Sequence, residues 1–170
     1  MENQDSTTEN SQYNTSGSAE QKIVPFLWFN GNVKEALDFY TSVFQHATIK
    51  NMNQMPDGKI MTASFQIEGL EFMALDGGPH FTFSPAISFF VKCKTQEEVD
   101  ELWEKLSEGG TKDRCGWLKD PFGVSWQIIP DALGQLMGSP NPVKARNVMQ
   151  AMMQMNKIDI KGLQEAYDKE

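Results

Sequence analysis

The sequence contains few of the residues on which several classes of protein depend. Only two histidines and two cysteines occur among its 170 residues. Two cysteines cannot form the disulfide framework of a small secreted scaffold, so a reducing compartment, the cytoplasm, is the expected location. Two histidines argue equally against a metal site rich in imidazole.

Long apolar runs and clustered basic residues are lacking as well. No stretch reaches the roughly 20 apolar residues that a membrane-spanning helix needs. The net charge is −8 and the isoelectric point is about 4.8, whereas phosphate binding needs clustered Lys and Arg. We therefore expect neither a membrane nor a nucleic acid as a partner. Hydrophobic residues still make up 39% of the chain, which is enough to build a core.

Composition divides the chain into three parts. Residues 1–21 are almost all Ser, Thr, Asn, Gln and Glu, and this composition predicts a disordered polar tail. We expect the folded domain at residues 22–130 and a helical extension at residues 131–170. Two helices are predicted in the extension, Asn141–Lys157 and Ile158–Tyr167, with a methionine-rich stripe on the first that packs on the domain.

The folded domain contains the same module twice. The apolar run Ile23–Phe29 predicts a buried strand, and Asn32 with Glu35 forms a helix-start pattern. Both features recur 63 residues later, in Ala86–Val91 and in the pair Thr95 and Glu98. The apolar helix positions match at the same offset, as Ala36/Val99, Phe39/Leu102, Tyr40/Trp103 and Val43/Leu106. This offset indicates an internal duplication, with module one at residues 22–85 and module two at residues 86–130.

After each predicted helix, strand-like segments alternate with turn signals. In module one Pro56–Gly58 and Glu68–Gly69 separate three such segments, and in module two Asp120–Gly123 separates two. Each module is therefore predicted as a strand, a helix and a meander of strands. The fold class is α+β, with two tandem βαβββ modules followed by C-terminal helices.

Several stretches within this pattern resemble a known family. They are Pro25–Phe29, Glu35–Tyr40, Leu75–Pro79, Cys115–Gln127 and Met155–Asp159. The chain resembles the vicinal oxygen chelate superfamily, which includes glyoxalase I, bleomycin-resistance proteins and extradiol dioxygenases. Within it, residues 22–170 are most similar to the PhnB-like branch, whose domain name is "3-demethylubiquinone-9 3-methyltransferase". The resemblance implies a cup-shaped mixed sheet around a cleft, and a homodimer whose β modules pair across the interface.

The resemblance also implies where a metal would bind. In metalloenzymes of the superfamily, ligands from the first and last strands of each module converge in the cleft. The matching positions here are Pro25, Ser88 and Gln127, and Ala74 is our choice for the fourth. Pro has no side-chain donor, and Ser is rarely a strong sole donor. We therefore expect vestigial positions without a glyoxalase-type metal, and no other cofactor.

Strand alternation extends the candidate cleft. If Pro25, Ser88 and Gln127 face inward, other residues on the same strand faces line the cleft, whereas Phe26, Trp28, Phe89 and Trp126 face the helices. With Trp117 from the strand before the last turn, this gives a mostly apolar lining suited to a small, partly apolar ligand. The predicted lining is Leu27, Phe29, Ala74, Ser88, Phe90, Trp117, Ser125 and Gln127, with Ile129 beside it.

Two functions remain open at this point. The first is binding of a small molecule without a metal, as in the bleomycin-resistance relatives. The second is an enzyme, either lyase- or dioxygenase-like or the methyltransferase of the domain name, that uses Gln127, Ser88 or His80. His80 could act as a general acid or base, although a solvent-exposed loop histidine is the simpler interpretation. Methyl transfer is disfavoured because neither Gly77-Gly78 nor Gly109-Gly110 links a strand to a helix, as nucleotide-binding loops do.

Overall fold

The computed structural model describes residues 21–169, so the predicted tail lies outside the described residues apart from Gln21. The first module consists of β1 (Phe26–Phe29), α1 (Val33–Val43), β2 (Ala47–Gln54), β3 (Ile60–Ile67) and β4 (Leu70–Asp76). The second consists of β5 (Phe89–Cys93), α2 (Gln96–Ser107), β6 (Thr111–Lys112), β7 (Trp117–Lys119) and β8 (Ser125–Pro130). Three helices follow, α3 (Asp131–Met137), α4 (Pro142–Met152) and α5 (Ile160–Asp168).

Each module forms a four-stranded mixed sheet, and the two sheets have the same topology. The strand orders are β1-β4-β3-β2 and β5-β8-β7-β6, with the first strand parallel to the last and the other pairs antiparallel. The predicted α+β class with tandem βαβββ modules is thereby confirmed. The two sheets are not closed onto each other, because within residues 21–169 no strand of one is hydrogen-bonded to a strand of the other. The strands β1 and β5 consequently each keep one free edge.

The helices α1 and α2 begin where the sequence predicts, and they bury largely the residues that the sequence predicts. Thr95 caps α2 by accepting a hydrogen bond from the Glu98 amide, and the Glu98 carboxylate accepts one from the Lys94 amide. The duplicated apolar positions on both helices are buried, except that Phe39 is half-buried. The predicted offset holds for the helices, since α1 begins at Val33 and α2 begins 63 residues later at Gln96.

One aromatic core joins the two modules. The ring of Phe72 in β4 lies 5.0 Å from that of Phe89 in β5, and the ring of Tyr40 in α1 lies 5.8 Å from that of Trp126 in β8. Buried residues of both helices and of the helix-facing side of both sheets belong to this core. The opposite side of each sheet, here called its open face, therefore points away from the core. The two open faces of one chain lie on different sides of the molecule.

A buried carboxylate sits at the junction of the modules. Asp120, in the turn between β7 and β8, is 2% exposed. One of its oxygens accepts hydrogen bonds from the Tyr40 hydroxyl at 2.7 Å and the Trp126 indole at 2.9 Å. The other accepts from the backbone amides of Phe122 and Val124, both at 2.9 Å. Burial raises the pKa of Asp120 even though these four donors favour its ionised form.

The C-terminal helices close one end of module two. They form a small core of their own with the end of β8, made of Ile129, Leu133, Val148, Ile158 and Leu163. The Gln96 side chain at the start of α2 exchanges two hydrogen bonds with the backbone of Ile158 and Ile160. The sequence predicted two helices here, and the structure adds α3 directly after β8. Met152 and Met155 pack as expected, whereas Met149 and Met153 are exposed, so the methionine stripe is only partly covered.

The strand predicted at Thr111–Lys119 is interrupted. Cys115 and Gly116 both have positive φ, +57° and +81°, and their amides donate to the carbonyls of Met155 and Asn156. A Cβ atom on Gly116 would lie 2.7 Å from a methyl carbon of Ile129, so only glycine fits there. At this point the C-terminal segment therefore supplies the hydrogen-bond acceptors that a neighbouring strand would otherwise supply. Within residues 21–169, no helix has the length and apolar character needed to cross a membrane.

We expect Asp120→Asn to destabilise the protein by about 1–3 kcal/mol, because the amide would place an N–H₂ group against two of the four donors. Equilibrium unfolding in urea, followed by tryptophan fluorescence, measures this loss. Asp131→Asn at the exposed start of α3 is the matched control, and it should change the stability by less than about 0.5 kcal/mol. Equal effects of the two substitutions would contradict a role for the buried carboxylate.

The pH dependence has a defined sign. Since the pKa of Asp120 is raised, the folded chain holds this proton to higher pH than the unfolded chain. Its contribution to stability is complete below the unfolded pKa of about 4 and falls as the pH rises through the raised value. We expect the free energy of unfolding of Asp120→Asn to lack this pH-dependent contribution. The same urea unfolding series, run from acid to neutral pH on the wild type and the variant, measures the difference.

Candidate functional site

Three side chains form a row across the open face of module two. In the strand register Gln127 of β8 lies between Trp117 of β7 and Phe90 of β5. Phe90 is 55% exposed, and Trp117 and Gln127 are half-buried. We call Trp117, Gln127 and Phe90 the amide row, because one carboxamide is flanked on both sides by an aromatic ring. Such a row can hold an apolar group while the amide orients a polar one.

Ser88 fixes the amide of this row. The Gln127 nitrogen donates a hydrogen bond of 2.9 Å to the Ser88 hydroxyl oxygen. The Gln127 carbonyl oxygen then has no donor among the described residues, and the Ser88 O–H has no acceptor there. The pair therefore offers one hydrogen-bond acceptor and one donor side by side.

A third polar group on this face is buried and unsatisfied. Ser125 lies two residues before Gln127 on the same face of β8, whereas Trp126 and Ile128 point into the core. Ser125 is 2% exposed, and its hydroxyl is the buried side-chain polar atom that lacks a partner within residues 21–169. Buried hydroxyls normally find a protein group, a water or a ligand group. Predicted site residues Ser88, Phe90, Trp117, Ser125 and Gln127 thus share one face.

The predicted lining from module one is wrong. Leu27, Phe29 and Ala74 are 9%, 2% and 0% exposed, and they lie in the core beneath α1. Pro25 lies on the same helix-facing side by alternation. Phe26 and Trp28, predicted as core, face the other way: Phe26 is 51% exposed, and the Trp28 indole donates to the Gly78 carbonyl.

A one-residue difference between the modules explains this error. The helices repeat at 63 residues, but the strands β1 and β5 repeat at 64, so Leu27 corresponds to Val91 and Phe29 to Cys93. The connection between β1 and α1 is one residue longer than the connection between β5 and α2. Since side chains alternate along a strand, a shift of one residue moves every side chain to the opposite face.

The register identifies the true counterparts of the candidate residues. Phe26 pairs with Met73 as Phe90 pairs with Gln127, so Met73 is the module-one equivalent of Gln127. Val24, two residues before Phe26, is the equivalent of Ser88. The equivalent positions thus carry Val24, Met73, Ser88 and Gln127, a set without a carboxylate, imidazole or thiolate. These residues do not fit a glyoxalase-type divalent metal, which prefers such donors, and residues 21–169 hold no cluster of three or more such ligands.

Neither histidine approaches the amide row through a hydrogen bond. His46 lies in the turn between α1 and β2, where its backbone amide donates to the Glu68 carboxylate. His80 is exposed in the loop that connects β4 to β5. Cys93 offers no thiolate, because burial raises the pKa of its thiol to about 12. Cys115 is half-buried, with its sulfur 3.7 Å from the Met152 carbonyl oxygen.

A groove of about 670 Å³ runs along the free edge of β5. Its lining includes Phe44, Phe72 and three glutamates. Each glutamate is already paired within the chain: Glu68 with the His46 amide, Glu98 with the Lys94 amide and Glu101 with Lys105. The lining of the groove also includes Ser88, Phe90 and Lys92, so the groove reaches the margin of the open face. Because the unpaired groups of Gln127 and Ser125 lie on that face, we place the candidate site on the open face of module two.

Sequence reasoning missed two residues of this face. Lys92 in β5 and Lys119 in β7 alternate with core residues and point to the open side. Lys92 follows Phe90 by two residues, and Lys119 follows Trp117 by two, so the alternation that identified the aromatic residues could also have identified the lysines.

Comparison with known proteins identifies relatives of this chain. A family model described as "3-demethylubiquinone-9 3-methyltransferase" matches residues 21–129. A putative 3-demethylubiquinone-9 3-methyltransferase, PhnB protein, from Bacillus cereus is 37% identical with a TM-score of 0.61, over 65% of this chain and 99% of that one. Protein PA1353 from Pseudomonas aeruginosa is 25% identical with a TM-score of 0.57, over 65% of this chain and 98% of that one. No curated protein matches the chain.

We expect Leu27→Ala to cost about 2–4 kcal/mol of folding stability, since it opens a cavity beneath α1. Met73→Ala, on the open face and 40% exposed, should cost less than about 1 kcal/mol. Urea unfolding of the two variants tests the face assignment in module one. A larger loss for Met73→Ala than for Leu27→Ala would restore the original assignment.

Proposed function

This chain belongs to the 3-demethylubiquinone-9 3-methyltransferase family, which is PhnB-like, and we propose that it binds a small, partly apolar molecule without a metal. The site is the open face of module two. The observation that carries the proposal is the amide row, in which Ser88 holds the Gln127 amide between Trp117 and Phe90.

The row supplies both parts of a binding site. The two rings give apolar contact area, which contributes most of the binding free energy of small ligands. The free carbonyl of Gln127 and the free hydroxyl of Ser88 give direction, because a ligand that leaves them unpaired loses affinity. Four candidate metal positions without a strong donor support binding that does not depend on a divalent ion.

The residues support an enzyme less well. The hydrogen-bond partner of Ser88 is an amide nitrogen, which cannot accept a proton, so Ser88 has no base to activate it as a nucleophile. His80 lies in an exposed loop after the last strand of module one.

A methyl donor of the nucleotide type also fits poorly. Gly77-Gly78 leads from β4 into the long loop before β5, and Gly109-Gly110 follows the end of α2. Neither pair stands between a strand and the N-terminus of a helix, where such a cofactor binds its phosphates or ribose. We therefore assign no step through a methyl donor.

The free strand edges support a homodimer as the partner arrangement. The carbonyls of Pro25 and Phe29 accept hydrogen bonds from Met73 and Gly77, so they point toward β4. The backbone groups of Phe26 and Trp28 consequently point to the free edge of β1. Unpaired strand edges readily pair with another strand. We propose that β1 of one copy pairs with β5 of a second, which would bring the open face of module one beside the open face of module two.

The binding proposal is tested with N-phenyl-1-naphthylamine, an uncharged aromatic fluorophore. We expect saturable binding near one site per chain, and about tenfold weaker binding by Phe90→Ser because it loses one ring of the row. Val143→Ser is the control: Val143 is 50% exposed on α4, and its loss should leave the affinity unchanged. Fluorescence titration measures both.

Metal independence is checked on the same samples. Excess chelator should not change the titration, and elemental analysis of protein purified without metal-affinity resin should find no stoichiometric divalent metal. A metal near one per chain, or loss of binding with chelator, would contradict the proposal. Equal weakening by Phe90→Ser and Val143→Ser would place the fluorophore elsewhere.

Size-exclusion chromatography with light scattering tests the dimer. We expect twice the chain mass of 19.2 kDa, and a shift to the monomer in Phe26→Lys, because a charge beside the free edge of β1 opposes strand pairing. Val143→Lys adds the same charge on α4, where Val143 is 50% exposed, and should remain dimeric. A monomeric wild type would refute the arrangement.

A further inference from the structure

We propose that the ligand of this open face is an aromatic anion, a planar ring that carries a carboxylate or a similarly charged group. This inference rests on the proposed binding function and adds the charge of the ligand to it. The argument uses the two lysines of the face, the absence of Asp and Glu from the strand positions that share it, and the comparison with module one.

The two lysines flank the amide row. In the strand register Lys92 pairs with Ile129, and Lys119 pairs with Ser125. Each of these pairs lies two residues along β8 from Gln127, on opposite sides of it. This spacing is about 7 Å, which an extended lysine side chain can span. An ammonium group can therefore reach a ligand that lies on the row from either side.

The eight side chains that β5, β7 and β8 place on this face, or directly before it, include no Asp or Glu. They are Ser88, Phe90, Lys92, Trp117, Lys119, Ser125, Gln127 and Ile129. Asp113 lies at the margin, where its backbone amide donates to the Trp117 carbonyl. Glu68, Glu98 and Glu101 line the same groove as Lys92, and each is already paired within the chain. The eight positions thus carry two positive and no negative charges in a chain of net charge −8.

Neither lysine is neutralised by the rest of the chain. Six other lysines form ion pairs within residues 21–169, namely Lys34, Lys59, Lys105, Lys112, Lys157 and Lys161. Lys92 and Lys119 form none among the described residues. Their charges therefore remain available to a ligand.

The internal duplication supplies a comparison within one molecule. Through the register, Lys92 corresponds to Trp28, Lys119 corresponds to Gln66, and Ser125 corresponds to Glu71. The same three positions thus carry a charge of −1 in module one and +2 in module two. A general need for solubility or for β-strand formation would act on both modules alike. The difference therefore points to a task that only the second open face performs, and charge complementarity makes that task the binding of an anion.

Three probes with the same ring and the same two-carbon linker test this inference by isothermal titration calorimetry. They are indole-3-propionate, its neutral amide indole-3-propionamide, and the cation tryptamine. We expect the anion to bind about fivefold more tightly than the amide and about tenfold more tightly than the cation. Added salt should weaken the anion and leave the amide unchanged, because only the former is held by charge.

Substitutions of single lysines test whether the preference for the anion comes from the open face of module two. Lys119→Glu and the milder Lys119→Gln should each reduce the affinity for the anion to that for the amide. Lys59→Glu makes the same change of charge in the turn between β2 and β3, and should leave the order of the three probes intact. Thermal unfolding of each variant confirms that it is folded.

The outcomes separate this inference from the function on which it rests. If N-phenyl-1-naphthylamine binds but the anion binds no better than the amide, the inference fails and the binding function stands. If neither the fluorophore nor any indole binds, the binding function fails and the inference fails with it. An equal loss of anion affinity in Lys59→Glu and Lys119→Glu would show a general charge effect and would also overturn the inference.

Discussion

The shared core between the modules determines where a ligand can be held. Because Phe72 contacts Phe89 and Tyr40 contacts Trp126, the two sheets are fixed with their helix-facing sides together. The buried Asp120 strengthens this junction, since its four hydrogen bonds come from both modules. The open faces are then directed outward on different sides. The duplicated fold therefore presents two separate open faces on each chain.

Much of the fold could be predicted because its signals are local. Helix-start patterns, turn residues and apolar spacing gave both modules and the position of both helices. The facing of β1 could not be predicted in the same way. It depends on the length of the connection to α1, and that connection differs by one residue from its counterpart between β5 and α2. The helices therefore repeat faithfully while Leu27 and Phe29 exchange faces with Phe26 and Trp28.

The predicted site residues also differ between the two modules in the face on which they lie. In module two the predicted residues share one open face, because the strands β5 and β8 were assigned with the correct alternation. In module one the error in alternation placed core residues in a cleft. Lys92 and Lys119 were missed for a different reason: exposed lysines are common on any surface, and only the register shows that they flank Gln127. Information of that kind comes from strand pairing, which a single sequence does not contain.

The chemistry of the two open faces bears on how one site could be completed. The face of module one is apolar around Phe26 and Met73 and carries the acidic Glu71 at one end, and the face of module two carries the amide row and the lysines. Pairing of β1 with β5 from a second copy would place an apolar wall opposite a polar, positively charged one. Such a cleft distinguishes the two ends of an amphipathic anion, because the ring gains contact area on one side and the charge meets ammonium groups on the other. Neither face alone excludes water from both ends of such a ligand. Duplication followed by divergence of the faces would then serve a single site, and dimerisation would be part of binding as well as of stability.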